Sequence, residues 1–125
     1  MLFDTDVLIW VLRGNTRAAR ALDAEPERSL SVISYMELIQ GARDARDLKA
    51  VKAFLSDQAF QLLPLSENIG HRASIYMEEY ALKGALSMAD ALIAATAVEN
   101  QSVLCTGNEK HYKTVRDLDI RLFRP

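Results

Sequence analysis

The chain has little of what staples, breaks or anchors a protein. Cys105 is its single cysteine, so neither an internal disulfide nor a cysteine-based zinc cluster can form. Set in the apolar run 102–105, its thiol is expected to be buried and inert. Three prolines and five glycines in 125 residues leave no Pro/Gly-rich linker, and no repeat or low-complexity tract divides the chain. One domain over residues 1–125 is expected. Long hydrophobic runs are missing too: the longest apolar helical stretch, residues 88–98, carries Asp90 inside it and is too short to cross a bilayer. No basic segment precedes an apolar one at the N-terminus, so no signal peptide is expected and a reducing, cytoplasmic setting fits. Charge of one sign is lacking as well. Fifteen bases against seventeen acids leave −2, which argues against coating nucleic acid or an anionic membrane by bulk positive charge, though not against a local basic patch.

What is present is an ordinary globular composition, 50% apolar and 26% charged. A chain of this size withdraws roughly 65–70% of its unfolded surface from water. Residues 2–3 form a short buried strand, with Asp4 at its carboxyl end. Residues 5–13 follow as a helix closed by Gly14 in the left-handed position, then 16–24 as an Arg-bearing helix before Pro26. Residues 29–33 are a strand and 34–46 a helix whose apolar stripe includes Ile33, Met36 and Ile39. Leu48, Val51 and Leu55 recur at helical spacing over 48–55. Residues 60–63 are a strand ended by Pro64. Ser66 caps a long helix in which Ile69, Ala73, Tyr76 and Tyr80 share a face, stopped at Lys83-Gly84. Helix 87–99 is apolar on nearly every side and belongs at the centre. Strand 102–106, a short helix 108–112 and strand 120–123 complete the chain. Short apolar strands joined through helices need crossovers, so the fold class is α/β, with a parallel sheet covered on both faces. In such sheets, sites gather outside the carboxyl ends of the strands.

Three carboxylates stand where strand or loop passes into helix: Asp4, Glu37 and Asp90, with Asp6 two residues after Asp4. No rival polar cluster is evident. Each acid has a structural reading, because Ser34-x-x-Glu37 and Ser87-x-x-Asp90 both resemble capping boxes and acids suit a first helical turn. Asp90 is the hardest to explain that way alone. Ala91 to Ala95 anchor it on a buried helix, no basic residue lies near it in sequence, and buried charge costs several kcal/mol unless paired or metal-bound. Carboxylates sharing one sheet edge repel, and a hard divalent cation removes the conflict. An oxygen-only ligand set suits magnesium or manganese. Such ions share their shell with substrate phosphate, so the chemistry points to a phosphate ester.

With these acids in place, four segments resemble the PIN-domain ribonucleases, and more closely their VapC-type toxins. They are Leu2-Phe3-Asp4-Thr5-Asp6-Val7-Leu8-Ile9, Ser34-Tyr35-Met36-Glu37-Leu38-Ile39-Gln40-Gly41, Ala89-Asp90-Ala91-Leu92-Ile93-Ala94-Ala95-Thr96-Ala97 and Leu104-Cys105-Thr106-Gly107-Asn108-Glu109-Lys110-His111-Tyr112. The resemblance implies a three-layer α/β/α sandwich and a Mg2+- or Mn2+-dependent endoribonuclease hydrolysing RNA with a metal-activated water. It places Asp4, Glu37 and Asp90 on the principal acidic positions, as metal ligands. Asp6 stands where the family often has Asn or Ser, as an accessory group. Asn108 stands near the position of a fourth acid, where its amide can hold a metal-bound water, which puts a tightly held second metal in doubt. Thr5 and Thr106 either orient waters or phosphate or cap helices.

Residues 109–124 hold five cations against three acids. Lys110 and Lys113 are the first candidates for RNA phosphate, Arg13, Arg43 and Arg46 the second. His111 is either a proton shuttle or an ordinary surface histidine. Trp10 and Tyr35 read as packing or interface aromatics rather than stacking platforms. The resemblance further implies a homodimer and a VapB-type antitoxin whose C-terminal segment covers the pocket, in a heterotetramer or larger complex, with Met36, Ile39 and the second helix able to line its groove. A PIN domain that binds RNA or a partner without cutting is the alternative, supported by Asn108. A haloacid-dehalogenase-type phosphatase ranks below it: Asp4-Thr5-Asp6 resembles that family's opening, but Leu8 stands where Thr or Val belongs. A receiver-type domain would need its phospho-acceptor where this chain has Leu63-Pro64-Leu65.

Overall fold

Five short apolar strands pair into one all-parallel sheet in the computed structural model, which describes residues 1–125. The elements follow the expected alternation: β1 (Leu2–Phe3), α1 (Thr5–Leu12), α2 (Thr16–Asp23), β2 (Ser29–Ser31), α3 (Val32–Gln40), α4 (Ala45–Asp57), β3 (Gln61–Leu63), α5 (Glu67–Tyr80), α6 (Met88–Glu99), β4 (Leu104–Thr106), α7 (Glu109–Tyr112) and β5 (Ile120–Leu122). The strand order is β3-β2-β1-β4-β5. The chain therefore builds outward from β1 through β2 to β3, then returns to the other side of β1 for β4 and β5. The order reverses between β1 and β4, and a crevice opens there at the carboxyl ends of the strands.

Alternation along these strands feeds two cores. Leu2 and Leu104 point into one face, with Ile69, Ala73 and Tyr76 of α5 and the buried side of α6. Phe3, Leu30 and Cys105 point into the other, with Val7 and Leu8 of α1, Ala18 and Leu22 of α2, and Leu38, Val51 and Leu55. Both sheet faces are thus covered by helices, giving the expected three layers. Beyond its first turn α6 is buried at Ala91, Ile93, Ala94, Ala95, Thr96 and Ala97, as its all-round apolarity required. Its start is different: Met88 is exposed. No helix is long and apolar enough to cross a membrane.

Several boundaries differ from the sequence expectation, each for a local reason. Helix α3 begins at Val32 rather than residue 34, because the Ser31 hydroxyl accepts from the Ile33 amide and caps it. The β-branched pair Val32-Ile33 reads as strand but is drawn into the first helical turn. The predicted Ser34–Glu37 capping box does not form, and Glu37 lies deep in the helix instead of opening it. The same shift in phase turns Met36 to solvent, while Ser34 and Leu38 face inward. Helix α3 stops at Gly41, and α4 starts anew at Ala45 behind Asp44, whose carboxylate accepts from the Asp47 amide. Helix α5 ends at Tyr80, before the predicted Lys83-Gly84 stop. Gly14, by contrast, takes the left-handed conformation foreseen for it, at φ 86°.

Candidate active site

Asp4 leaves β1 at the point where the sheet order reverses. Backbone geometry fixes it from both sides: its amide donates to the Cys105 carbonyl, and its Oδ1 caps α1 by accepting from the Thr5 amide at 2.8 Å. Its Oδ2 accepts from the Thr106 hydroxyl at 2.7 Å, so the ends of β1 and β4 are tied across the crevice. Thr106 in turn accepts from the Asn108 amide at 3.0 Å. Asp4 is only 3% exposed. Burial, with Asp6 beside it, pushes its pKa up to about 7, and the bonds from Thr106 and Thr5 recover only part of that cost.

The other acids reach the same pocket from separate elements. Asp6 is held by the Val7 amide on Oδ1 and the Gly107 amide on Oδ2, at 2.8 and 2.9 Å. Burial raises its pKa, offset first by the bond from Gly107. At Gly107 a Cβ would sit 2.8 Å from Asp6 Oδ2 and 3.3 Å from the Phe123 carbonyl oxygen, so a side chain there would have to displace the Asp6 carboxylate. Glu37 projects from mid-α3. The Thr5 hydroxyl stands 2.7 Å from its Oε1 and 2.8 Å from the Ser34 hydroxyl. With one proton to give, Thr5 donates to the carboxylate and accepts from the serine. Neither threonine is a helix N-cap, and each spends its hydroxyl proton on a carboxylate. They aim carboxylates.

Asp90 takes the capping role its spacing predicted and also lines the pocket. It completes the capping box with Ser87, each backbone amide bonded to the other residue's side chain at 3.1 Å. It also turns inward, where Oδ1 accepts from the Tyr112 hydroxyl at 3.2 Å and Oδ2 lies 3.3 Å from His111 Nδ1. The partners missing from its own sequence neighbourhood are thus supplied by α7. Tyr112 is wholly buried, and burial beside Asp4 and Asp90 drives its hydroxyl far above the ordinary phenol range. It stays a neutral donor. Its part in the site was not foreseen from sequence, where an aromatic closing a short helix reads as core.

These groups line one cavity of about 360 Å³: Asp4, Asp6, Glu37 and Asp90 with Thr5, Asn108 and His111, closed by Ile9, Ile93 and the 85–89 segment. Four carboxylates meet there and neither lysine nor arginine enters. No three of the His, Cys, Asp and Glu side chains close tightly enough to grip an ion alone. The lining offers carboxylate and amide oxygens with nitrogen from His111 alone, a donor set that suits Mg2+ or Mn2+, ions that take one or two carboxylates and keep much of their water, better than zinc. Asn108 lines the cavity with its side chain free of any capping bond.

The basic candidates divide. Lys110 and Lys113 lie in a second depression that shares Asn108 and His111 with the cavity. Arg13 and Arg43 line a groove of about 600 Å³ on the other side, which shares Ile9 and Glu37. Arg43 is ion-paired with Asp47 at 2.9 Å, and Arg13 lies over the Trp10 ring. That groove runs between α1, α3 and α4 past Leu12, Leu38, Ala50 and Val51. Met36, Ile39 and α2 do not line it, because α2 turns Ala18 and Leu22 into the core and the phase of α3 presents Leu38. Trp10 and Tyr35 pack against the core, as expected. Cys105 is buried and its pKa raised to about 11. A rival polar cluster does exist, contrary to the sequence reading: Arg72 bonds Glu99 and Asp117, and Asp117 also accepts from Tyr76. These pairs satisfy one another and pin the loop after α7 to α5.

Comparison with known proteins agrees with this geometry. The family model described as PIN domain matches residues 1–117. No curated protein matches in sequence. Among solved structures, a chain of a toxin–antitoxin complex from Klebsiella pneumoniae is 31% identical, with TM-score 0.80, 94% of this chain covered and 93% of that one. A chain of VapBC2 from Rickettsia felis bound to a promoter DNA fragment has TM-score 0.87 at 19% identity, with 98% of each chain covered. One from DNA-bound VapBC of Salmonella typhimurium has TM-score 0.84 at 23% identity, covering 96% and 95%. The chain belongs to the PIN-domain family, and its fold is that of chains in VapBC toxin–antitoxin complexes.

Proposed function

We propose that the chain is a Mg2+- or Mn2+-dependent endoribonuclease and the toxin of a VapBC-type pair. The observation that carries this reading is the gathering of Asp4, Asp6, Glu37 and Asp90 in one cavity with neither Lys nor Arg among them, at the strand ends where β1 meets β4. Asp4 and Asp90, with Glu37 directly or through water, are the residues suited to hold the ion. When bound, the ion supplies charge to the phosphoryl oxygens and acidifies water for in-line attack. The chain itself supplies orientation. Thr106 holds Asp4, Thr5 holds Glu37, and Ser87, Tyr112 and His111 hold Asp90. Asp6 and Asn108 border the same space as accessory groups, Asn108 offering an uncharged amide.

The groove of α1, α3 and α4 supports the antitoxin half of the proposal. It is apolar along Ile9, Leu12, Leu38, Ala50 and Val51, opens into the cavity at Glu37, and would seat an amphipathic segment ending in a cation. The absence of a tight three-ligand cage, together with Asn108, favours one specific rival: a PIN domain that binds RNA without cutting it. A single experiment separates the two. The purified chain is incubated with transfer and ribosomal RNAs in Mn2+, in EDTA, and as Asp4→Ala and Asp90→Ala. The nuclease reading expects fragments with 5′-phosphate and 3′-hydroxyl ends, lost in EDTA and in both variants. Cyclic phosphate ends, or cutting that survives EDTA, would sink it, and binding without cutting would favour the rival.

A further inference from the structure

The depression beside the cavity, about 470 Å³ in volume, is lined by residues 107–111 with Lys113 and Arg124 and has no apolar member. We propose that it seats the RNA backbone next to the cleaved phosphate and holds it without regard to base sequence. The inference rests on the ribonuclease reading and adds to it a path for the substrate.

Three features point this way. Continuity comes first: Asn108 and His111 wall both the acidic cavity and this depression, so a strand with one phosphate among the acids passes directly into it. Charge is the second. Lys110 and Lys113 have no carboxylate partner within ion-pair distance, and Arg124 meets only Glu109, at 3.9 Å and largely exposed. An exposed pair that loose contributes little and yields readily to a phosphate. Three available cations therefore face one acid.

The third feature is what the depression lacks. Bases bind unspecifically by stacking on aromatic rings, and no ring but that of His111 borders this one. Its groups suit phosphate and ribose, which position a strand without reading it. The cations of the opposite groove each have a neighbour of their own, Arg43 with Asp47 at 2.9 Å and Arg13 at 6.0 Å from the Trp10 ring centroid, and both are exposed. One side of the cavity is thus polar with free cations and suits RNA. The other is apolar with engaged cations and suits protein.

The test is RNA binding by the full chain in EDTA, where no cutting intervenes, read as fluorescence anisotropy of several labelled single strands of different sequence over a range of KCl. The variants are Lys110→Ala/Lys113→Ala/Arg124→Ala and Arg13→Ala/Arg43→Ala. All five residues lie on the surface, and unchanged melting temperatures confirm that the variants fold. The triple variant is expected to bind every sequence about tenfold or more weaker, with a log–log salt slope shallower by about 2, since each single-strand phosphate contact contributes about 0.7. The double variant should bind like the wild type. The proposal is overturned if the triple variant keeps wild-type affinity and slope, if it loses affinity for one sequence only, or if the wild type binds no RNA. Failure to cut RNA in Mn2+ would count against the nuclease reading alone, since binding in EDTA is read separately.

Discussion

Asp4 carries the clearest energetic signature in the chain. Its carboxyl is raised from 3.8 to about 7, by burial first and by Asp6 second. A carboxyl with a raised folded-state pKa stabilises the fold fully below its unfolded pKa and loses that contribution as pH rises through the folded value. Melting of the metal-free protein should therefore show stability falling between about pH 4 and pH 7.5, by up to about 4 kcal/mol from this group. Asp4→Asn should flatten that dependence and raise the metal-free melting temperature at pH 8, while abolishing cleavage. At Gly107 the constraint is steric, because a Cβ would lie 2.8 Å from Asp6 Oδ2. Gly107→Ala should cost about 1–3 kcal/mol in denaturant melts, as overpacking does, and should slow cleavage by displacing Asp6. Wild-type stability and activity in that variant would show that the Asp6–Gly107 bond has slack.

Two serines three residues apart, one capping α3 and one in its first turn, do different work, and sequence alone chose the wrong one as the cap. Ser31 caps the helix, whereas Ser34 is buried against Thr5 in the chain of bonds that reaches Glu37. Ser31→Ala should cost about 1 kcal/mol of stability with little change in cleavage by the folded fraction. Ser34→Ala should lower cleavage out of proportion to its effect on stability. Equal ratios of activity to stability loss would contradict the assignment. At α6 the capping box was legible because serine and acid fall three apart ahead of an apolar run, and the box forms. At α3 the same spacing misled, because Ser31 lies ahead of two β-branched residues that read as strand. A local pattern offers two possible caps, and only packing against α1 decides between them.

At the scale of the whole molecule, the element order and the parallel sheet were legible because short apolar strands separated by helices admit few other solutions. The acids were legible because Asp4, Asp6 and Asp90 stand at element ends, and Glu37 was singled out as an acid opening a helix, although α3 begins at Val32 and leaves Glu37 inside it. Less legible were contacts that cross the fold. His111 and Tyr112 reach Asp90 from 21 and 22 residues further on, and the Gly107 amide meets Asp6 from the far side of the switch point. No periodicity records such meetings. The near-neutral net charge of −2 likewise conceals its own layout, an acidic cavity beside a basic depression. The claim on which everything else depends is that this uncompensated carboxylate pocket is a divalent-cation site. Calorimetric titration of Mn2+ into the RNA-free protein at pH 7.5 addresses it most directly. Saturable binding to the wild type that is lost in folded Asp4→Asn is the expected result, and Mn2+ binding of equal strength to both proteins, or to neither, would contradict it.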